Sequence, residues 1–327
     1  MSANVKTDAA PVMAMRDLTK HFLTGNALKR QTVKAVEGAT FNLYPGHVTA
    51  LVGESGSGKS TIARMLVRLY EPTSGEILYE GRNVVADKSR KALLHYRSQV
   101  QMIFQDPFSS LNPVKRVRDI LDRPLRVHHK ANRGNVRQKV YELLDRVSLT
   151  PVEEFADKFP HQLSGGQRQR VAIARALAVE PKVILADEPV SMLDVSIRLG
   201  ILNLMAKLRD EQGISFLYVT HDIASARYFA DDTLVMYAGR IVEGGGSESL
   251  IRDPKHPYTQ LLLSAVPDLA TIGVACPFAQ RCPHVMDVCR QAMPPRYELE
   301  PGRWTRCYLY DGAPVLEAAE SAPVAVR

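Results

Sequence analysis

Hydrophobic and polar positions change their period several times along the chain, and each change marks an element. Residues 12 to 52 read as short β segments, the last being His47-Val48-Thr49-Ala50-Leu51-Val52, an apolar run of buried-strand length. From Thr61 to Tyr70 the apolar positions Ile62, Met65, Leu66 and Leu69 keep the spacing of a helix with one buried face. A second strand, Val183-Ile184-Leu185-Ala186, ends in two acids, and a third, Ile214 to Thr220, ends at His221. Strands alternating with helices predict an α/β fold around a parallel sheet, with reactive groups at its carboxyl edge.

Between Asp106 and Ala178 the pattern is mostly helical, broken by Pro113, Pro124, Pro151 and Pro160, which predicts a helical insertion. Gly244-Gly245-Gly246 reads as a flexible joint. The expected organisation is a tail of residues 1–11, a core unit of 12–246 with its helical part at about 106–178, and an extension of 247–327. Residues Ala313 to Arg327 are small and polar enough for a frayed tail. No internal repeat is found, so the chain supplies one binding unit.

Composition narrows the class. Of 327 residues, 45% are hydrophobic and 24% charged, which excludes wholesale disorder and a membrane-embedded chain. No apolar run approaches the ~20 residues of a spanning helix, and Met1 to Val12 lacks a signal-peptide core, so a cytoplasmic location is expected. The net charge of +7 favours anionic partners without choosing among them. All four cysteines, Cys276, Cys282, Cys289 and Cys307, fall in the last 52 residues and predict one local site.

Gly53-Glu54-Ser55-Gly56-Ser57-Gly58-Lys59-Ser60-Thr61 contains a G-x-x-x-x-G-K-[ST] loop between a predicted strand and helix. Its glycines let successive N–H groups and the helix N-terminus face phosphate oxygens. Lys59 is expected to neutralise the β and γ phosphates and Ser60 to ligate Mg²⁺. Asp187 and Glu188 end a strand at the same sheet edge, where one can hold Mg²⁺ while the other polarises water.

Leu163-Ser164-Gly165-Gly166-Gln167 resembles the signature motif of ATP-binding cassette (ABC) proteins. In order come Phe22, the phosphate loop, Gln105, the signature, Asp187-Glu188, Ser191 to Asp194 and His221, an ordered set similar to that family over residues 12–246. The resemblance implies a P-loop NTPase fold: a parallel core sheet, an antiparallel β subdomain, a helical subdomain and a small cysteine-bearing C-terminal extension. It implies that Phe22 stacks on adenine, that Gln105 touches Mg²⁺ and the attacking water, and that Asp187 joins the Mg²⁺ ligands. Glu188 resembles the catalytic base and His221 the γ-phosphate contact. The signature, Ser164 to Gln167, resembles one that completes the ATP site of a second subunit, with Asp194 communicating across the interface.

Asp106-Pro107-Phe108-Ser109-Ser110-Leu111-Asn112-Pro113 and His256-Pro257-Tyr258-Thr259 resemble ATPase subunits of bacterial dipeptide and oligopeptide importers. The basic insertion between Phe22 and Val36 is similar to the second ATPase of such five-component systems. That branch implies a sister ATPase or an identical chain as partner, two transmembrane permeases, an exported substrate-binding protein, and a peripheral position on the cytoplasmic face of the inner membrane. No nucleic acid is expected. Importers of nickel complexes or oligosaccharides, and a soluble ABC ATPase acting on nucleic acid, are the alternatives. Residues Phe108 to Pro113 are expected to line a groove for a permease helix. Cys276-Pro277-Phe278-Ala279-Gln280-Arg281-Cys282-Pro283 looks like the subfamily's iron-sulfur motif, which implies a 4Fe-4S cluster on the four cysteines. Tetrahedral zinc is the alternative.

Overall fold

A computed structural model describes residues 9–24, 31–264, 276, 278–279 and 282–317. The short β segments expected near the start are instead two long strands, β1 (Met13–Thr24) and β2 (Gln31–Leu43), and the wholly buried β3 (Val48–Val52). Helix α1 (Lys59–Leu66) stops short of the predicted Tyr70 because Arg68 takes a left-handed φ of 56°. β4 (Ser74–Tyr79) and β5 (Arg82–Asn83) complete a four-stranded antiparallel sheet ordered β2-β1-β4-β5. Next come α2 (Arg90–Gln99), capped by the Ser89 hydroxyl, and β6 (Val100–Ile103).

The predicted helical insertion comprises α3 (Pro107–Ser110), α4 (Val117–Val127), α5 (Val136–Arg146), α6 (Val152–Asp157) and α7 (Gly165–Leu177). Pro124 lies inside α4, whereas Pro113 and Pro151 fall between helices and Pro160 starts a 3-10 turn. Leu111 is buried in the core, so it anchors this region and does not line an open groove as expected.

Then follow β7 (Val183–Asp187), α8 (Val195–Gln212), β8 (Ser215–Thr220), α9 (Ile223–Phe229), β9 (Asp232–Tyr237) and β10 (Arg240–Gly246). The C-terminal segment adds α10 (Ser247–Arg252), α11 (Pro257–Ser264), β11 (Arg296–Glu300), β12 (Arg303–Thr305) and β13 (Val315–Glu317). One nine-stranded sheet runs β13-β11-β12-β10-β9-β3-β8-β7-β6. Its β9-β3-β8-β7-β6 portion is parallel and the rest antiparallel.

Side chains of the parallel strands alternate between two cores. Val48, Ala50, Ile184, Phe216 and Tyr218 pack with the helical insertion, and Leu51, Val183, Leu185 and Leu217 with β1, β2 and α1. Each fully buried aliphatic side chain contributes roughly 1.5–3 kcal/mol, which fixes the strand ends where the polar groups emerge.

The glycine run 244–246 is a strand and no joint. Gly244 pairs with Leu234 and Trp304. A Cβ on it would lie 2.8 Å from Leu234 Cδ2 and 2.9 Å from the Trp304 ring. Glycine serves here for close approach of an indole, and the sheet passes unbroken into the extension. Val315 to Glu317, expected to fray, pair with β11, while residues 318–327 of that expected tail lie outside the described residues.

Candidate active site

The phosphate loop joins β3 to α1, and packing dictates its glycines. A Cβ at Gly53 would sit 2.1 Å from the Met236 carbonyl oxygen, and one at Gly58, whose φ is 107°, 2.2 Å from that of Ala35. Only a bare backbone passes between β9 and β2. Lys59 is buried, and its Nζ donates to the carbonyls of Gly53 at 2.8 Å and Glu54 at 2.7 Å. Burial holds its pKa below the usual lysine value, against the pull of Glu188, Asp187 and Glu54.

Ser60 Oγ donates to Asp187 Oδ1 at 2.8 Å, bringing the first turn of α1 to the end of β7. Burial raises the Asp187 carboxyl above its usual range, with the Ser60 bond opposing. Glu188 follows at a left-handed φ of 45°, unusual for a non-glycine residue, and its N–H donates to Val219 O. Two side chains meet at its Oε2: Gln105 Nε2 donates at 3.0 Å, and His221 Nδ1 lies at 3.2 Å.

These groups open on a cleft of ≈ 1260 Å³, lined by Gly53, Ser55, Gly56, Gly58, Lys59, Ser60 and Thr61 with Gln105, Glu188 and His221. Lys34, Arg64 and Arg240 add positive charge to its walls. An anion-binding loop, oxygen donors for a hard cation and a carboxylate held by two neighbours are the parts of a phosphoryl-transfer site.

Other expected residues lie apart from the cleft lining. Phe22 sits on β1 opposite Val33, which does line the cleft, and its ring meets Tyr70 edge-on at 5.4 Å. Ser164 caps α7: its Oγ accepts from Gln167 N–H at 3.3 Å, and Gln167 Oε1 accepts from Ser164 N–H at 3.0 Å. Gly165 and Gly166 form the first turn, where a Cβ at Gly166 would lie 2.5 Å from Ile197 of α8. Asp194 stands exposed at the N-cap of α8, two residues after the 57% exposed Met192.

The four cysteines are free thiols lining one small cavity with His256, Met286 and Tyr308. Burial pushes Cys276 up to about 11 and Cys307 to about 12, and raises Cys282 as well. Backbone N–H groups of Phe278 and Ala279 donate to Cys276, that of His284 to Cys282 and that of Leu309 to Cys307. Among the described residues, no group of three or more His, Cys, Asp or Glu is arranged to hold a metal ion. Pro277, Gln280 and Arg281 of the cysteine motif lie outside the described residues.

Leu262 of α11 also lines the cleft, a residue carrying no nucleotide-site signal in the sequence. The His256-Pro257-Tyr258-Thr259 motif had marked this segment without giving it a place.

The chain is similar to known proteins over most of its length. The ABC transporter family matches residues 36–191, and the oligopeptide/dipeptide transporter C-terminal region matches 242–289. The oligopeptide transport ATP-binding protein OppF of Bacillus subtilis is 48% identical, with 78% of this chain and 82% of that protein covered. The dipeptide transport ATP-binding protein DppF of Haemophilus influenzae is 39% identical over 95% of this chain and all of its own length. Among solved structures, a dimeric post-hydrolysis form of the ATP-binding cassette MJ0796 bound to ADP and Pi has a TM-score of 0.64 at 31% identity, covering 72% of this chain and 98% of that one. CbiO1 of Clostridium perfringens, part of the ABC transporter complex cbiONQ, has the same TM-score at 30% identity, covering 74% and 91%.

Proposed function

Because this chain belongs to the ABC transporter ATPases, in the branch carrying the oligopeptide/dipeptide transporter C-terminal region, we propose that it hydrolyses ATP to drive a membrane importer of dipeptides or oligopeptides. The convergence of Lys59, Ser60, Gln105, Glu188 and His221 on one cleft carries this reading. The cargo rests on the relatives, and nothing in the cleft favours a nickel-complex or oligosaccharide importer or a soluble nucleic-acid ATPase.

Lys59 and the loop N–H groups bind the β and γ phosphates. Ser60 and Asp187, with Gln105, provide oxygen donors suited to Mg²⁺, which when bound neutralises charge developing on the phosphates. Glu188 accepts the proton of the attacking water, while Gln105 and His221 fix its carboxylate. Water adds to the γ phosphorus, the bond to the bridging oxygen breaks, and ADP and phosphate leave. The pairing of Phe22 with Val33 of the cleft wall supports an adenine contact for its ring.

The signature lies outside the cleft lining of its own chain, which supports a head-to-tail dimer in which α7 presents its N-terminus to the partner's γ phosphate. Exposed Met192 and Asp194 suit that interface. The partner is a sister ATPase or an identical chain, docked with two permeases on the cytoplasmic face of the inner membrane and served by an exported substrate-binding protein. No helix of the described residues is long and apolar enough to cross a membrane.

The 4Fe-4S reading rests on the motif and on four thiols lining one cavity, three of them, Cys276, Cys282 and Cys307, with backbone N–H donors. Soft donors fit; a cavity of ≈ 10 Å³ requires the thiols to move apart around a cluster. Anaerobic protein is expected to hold about four iron per chain, and one bound zinc instead would overturn this assignment. For the transport reading, the chain co-expressed with its permeases in vesicles is expected to hydrolyse ATP faster when peptide-loaded binding protein is supplied. Indifference to every peptide tested would refute the peptide cargo.

A further inference from the structure

Tyr258 lies on α11, 204 positions after the loop residue it touches: its hydroxyl accepts a 2.9 Å hydrogen bond from the Glu54 N–H. It is fully buried, its ring packed against Tyr237 at 4.4 Å and Phe278 at 5.6 Å between centroids. Backbone bonds fix its position. Glu243, buried in β10, accepts from the N–H groups of Lys255 and His256 at 2.9 Å each, and His256 Nδ1 accepts from the Tyr258 N–H at 3.0 Å.

On the other side of the same residue, the Glu54 carbonyl accepts from Lys59. Glu54, the second residue of the phosphate loop, is therefore held at its N–H by the C-terminal segment and at its carbonyl by the lysine. Phe278, against the Tyr258 ring, also donates its N–H to Cys276, so the cysteine cavity abuts the same brace.

We propose that Tyr258 is a positioning residue for the phosphate-binding loop, through which the segment after β10 sets the affinity of the cleft for ATP. This rests on reading the cleft as the ATP site. Without the hydroxyl, the Glu54 N–H must find another acceptor, and the loop start turns away from the path that aims the following N–H groups at the phosphates. With Phe278 between Cys276 and Tyr258, changes at the cysteines are expected to reach the loop as well.

Tyr258→Phe keeps the ring and removes the hydroxyl that accepts from the Glu54 N–H. In the full-length chain it is expected to raise the Kd and KM for ATP about tenfold, with kcat within about twofold because Glu188, Gln105 and His221 are untouched. Wild-type affinity in the variant would overturn the proposal. Failure of the wild-type chain to bind ATP, or ATP binding indifferent to Lys59→Ala, would instead overturn the reading of the cleft. Hydrogen exchange on the wild-type chain gives a test independent of any variant: the Glu54 amide should be protected before nucleotide is added, and rapid exchange there would refute the brace.

Discussion

The hydroxyl of Ser60 and the carboxylate of Asp187 are joined by a 2.8 Å hydrogen bond across 127 positions of sequence. It ties the first turn of α1 to the end of β7 and sets two hard oxygen donors side by side. Ser60→Ala removes one of them and leaves Asp187, already raised by burial, without its donor. The variant is expected to need at least 10-fold or so more Mg²⁺ for half-maximal hydrolysis, as losing even an outer ligand partner costs about 10–100-fold in metal affinity. Titrating Mg²⁺ at fixed ATP measures this, and an unchanged midpoint would remove Ser60 from the site.

Glu188→Gln preserves size and backbone while removing the proposed proton acceptor. Turnover is expected to fall by about 10²–10⁴ with ATP binding retained, as read by single-turnover hydrolysis beside equilibrium binding. A variant that hydrolyses at the parent rate would mean that another group takes the proton.

Gly244→Ala drives a methyl group into Leu234 and the Trp304 ring. Overpacking of this kind costs roughly 1–3 kcal/mol. Urea unfolding should show that loss, and limited proteolysis should cut the chain after β10 sooner. An unchanged midpoint would mean that the indole moves aside freely.

His47 Nε2 lies 2.8 Å from Asp232 Oδ2, tying the start of β3 to the start of β9. Burial works against the charged ring, but the Asp232 bond and the Asp231 charge outweigh it and hold the pKa above 6.5. The pair's stabilisation is therefore complete below pH 6.5 and is lost as pH rises through the folded value. Such a pair contributes about 1 kcal/mol or less. Asp232→Asn should flatten stability against pH over that window, and an identical pH profile would contradict the pairing.

The placement of the motif residues was legible: Lys59, Ser60, Asp187 and Glu188 lie together at the sheet edge where a strand-loop-helix reading puts them. The helical insertion was legible from its period and prolines. Gly244 to Gly246 misled, since a glycine run reads equally as freedom or as room for a neighbour, and the neighbour, Trp304, lies 60 positions on. Tyr258 and Leu262 were illegible as site residues, since only the closed tertiary structure carries α11 beneath the phosphate loop.

The unbroken passage of the sheet from β9 through β10 to β12 bears on how this protein can be cut into parts. A chain ended after Gly246 would bare residues 242–244 of β10 as a sheet edge, with a trench where the indole of Trp304 now lies. That edge invites pairing with another copy, so such a fragment would tend to self-associate. A tag or reporter is therefore better attached beyond β13, the last strand of the described sheet, which leaves the pairing of β10 with β12 in place.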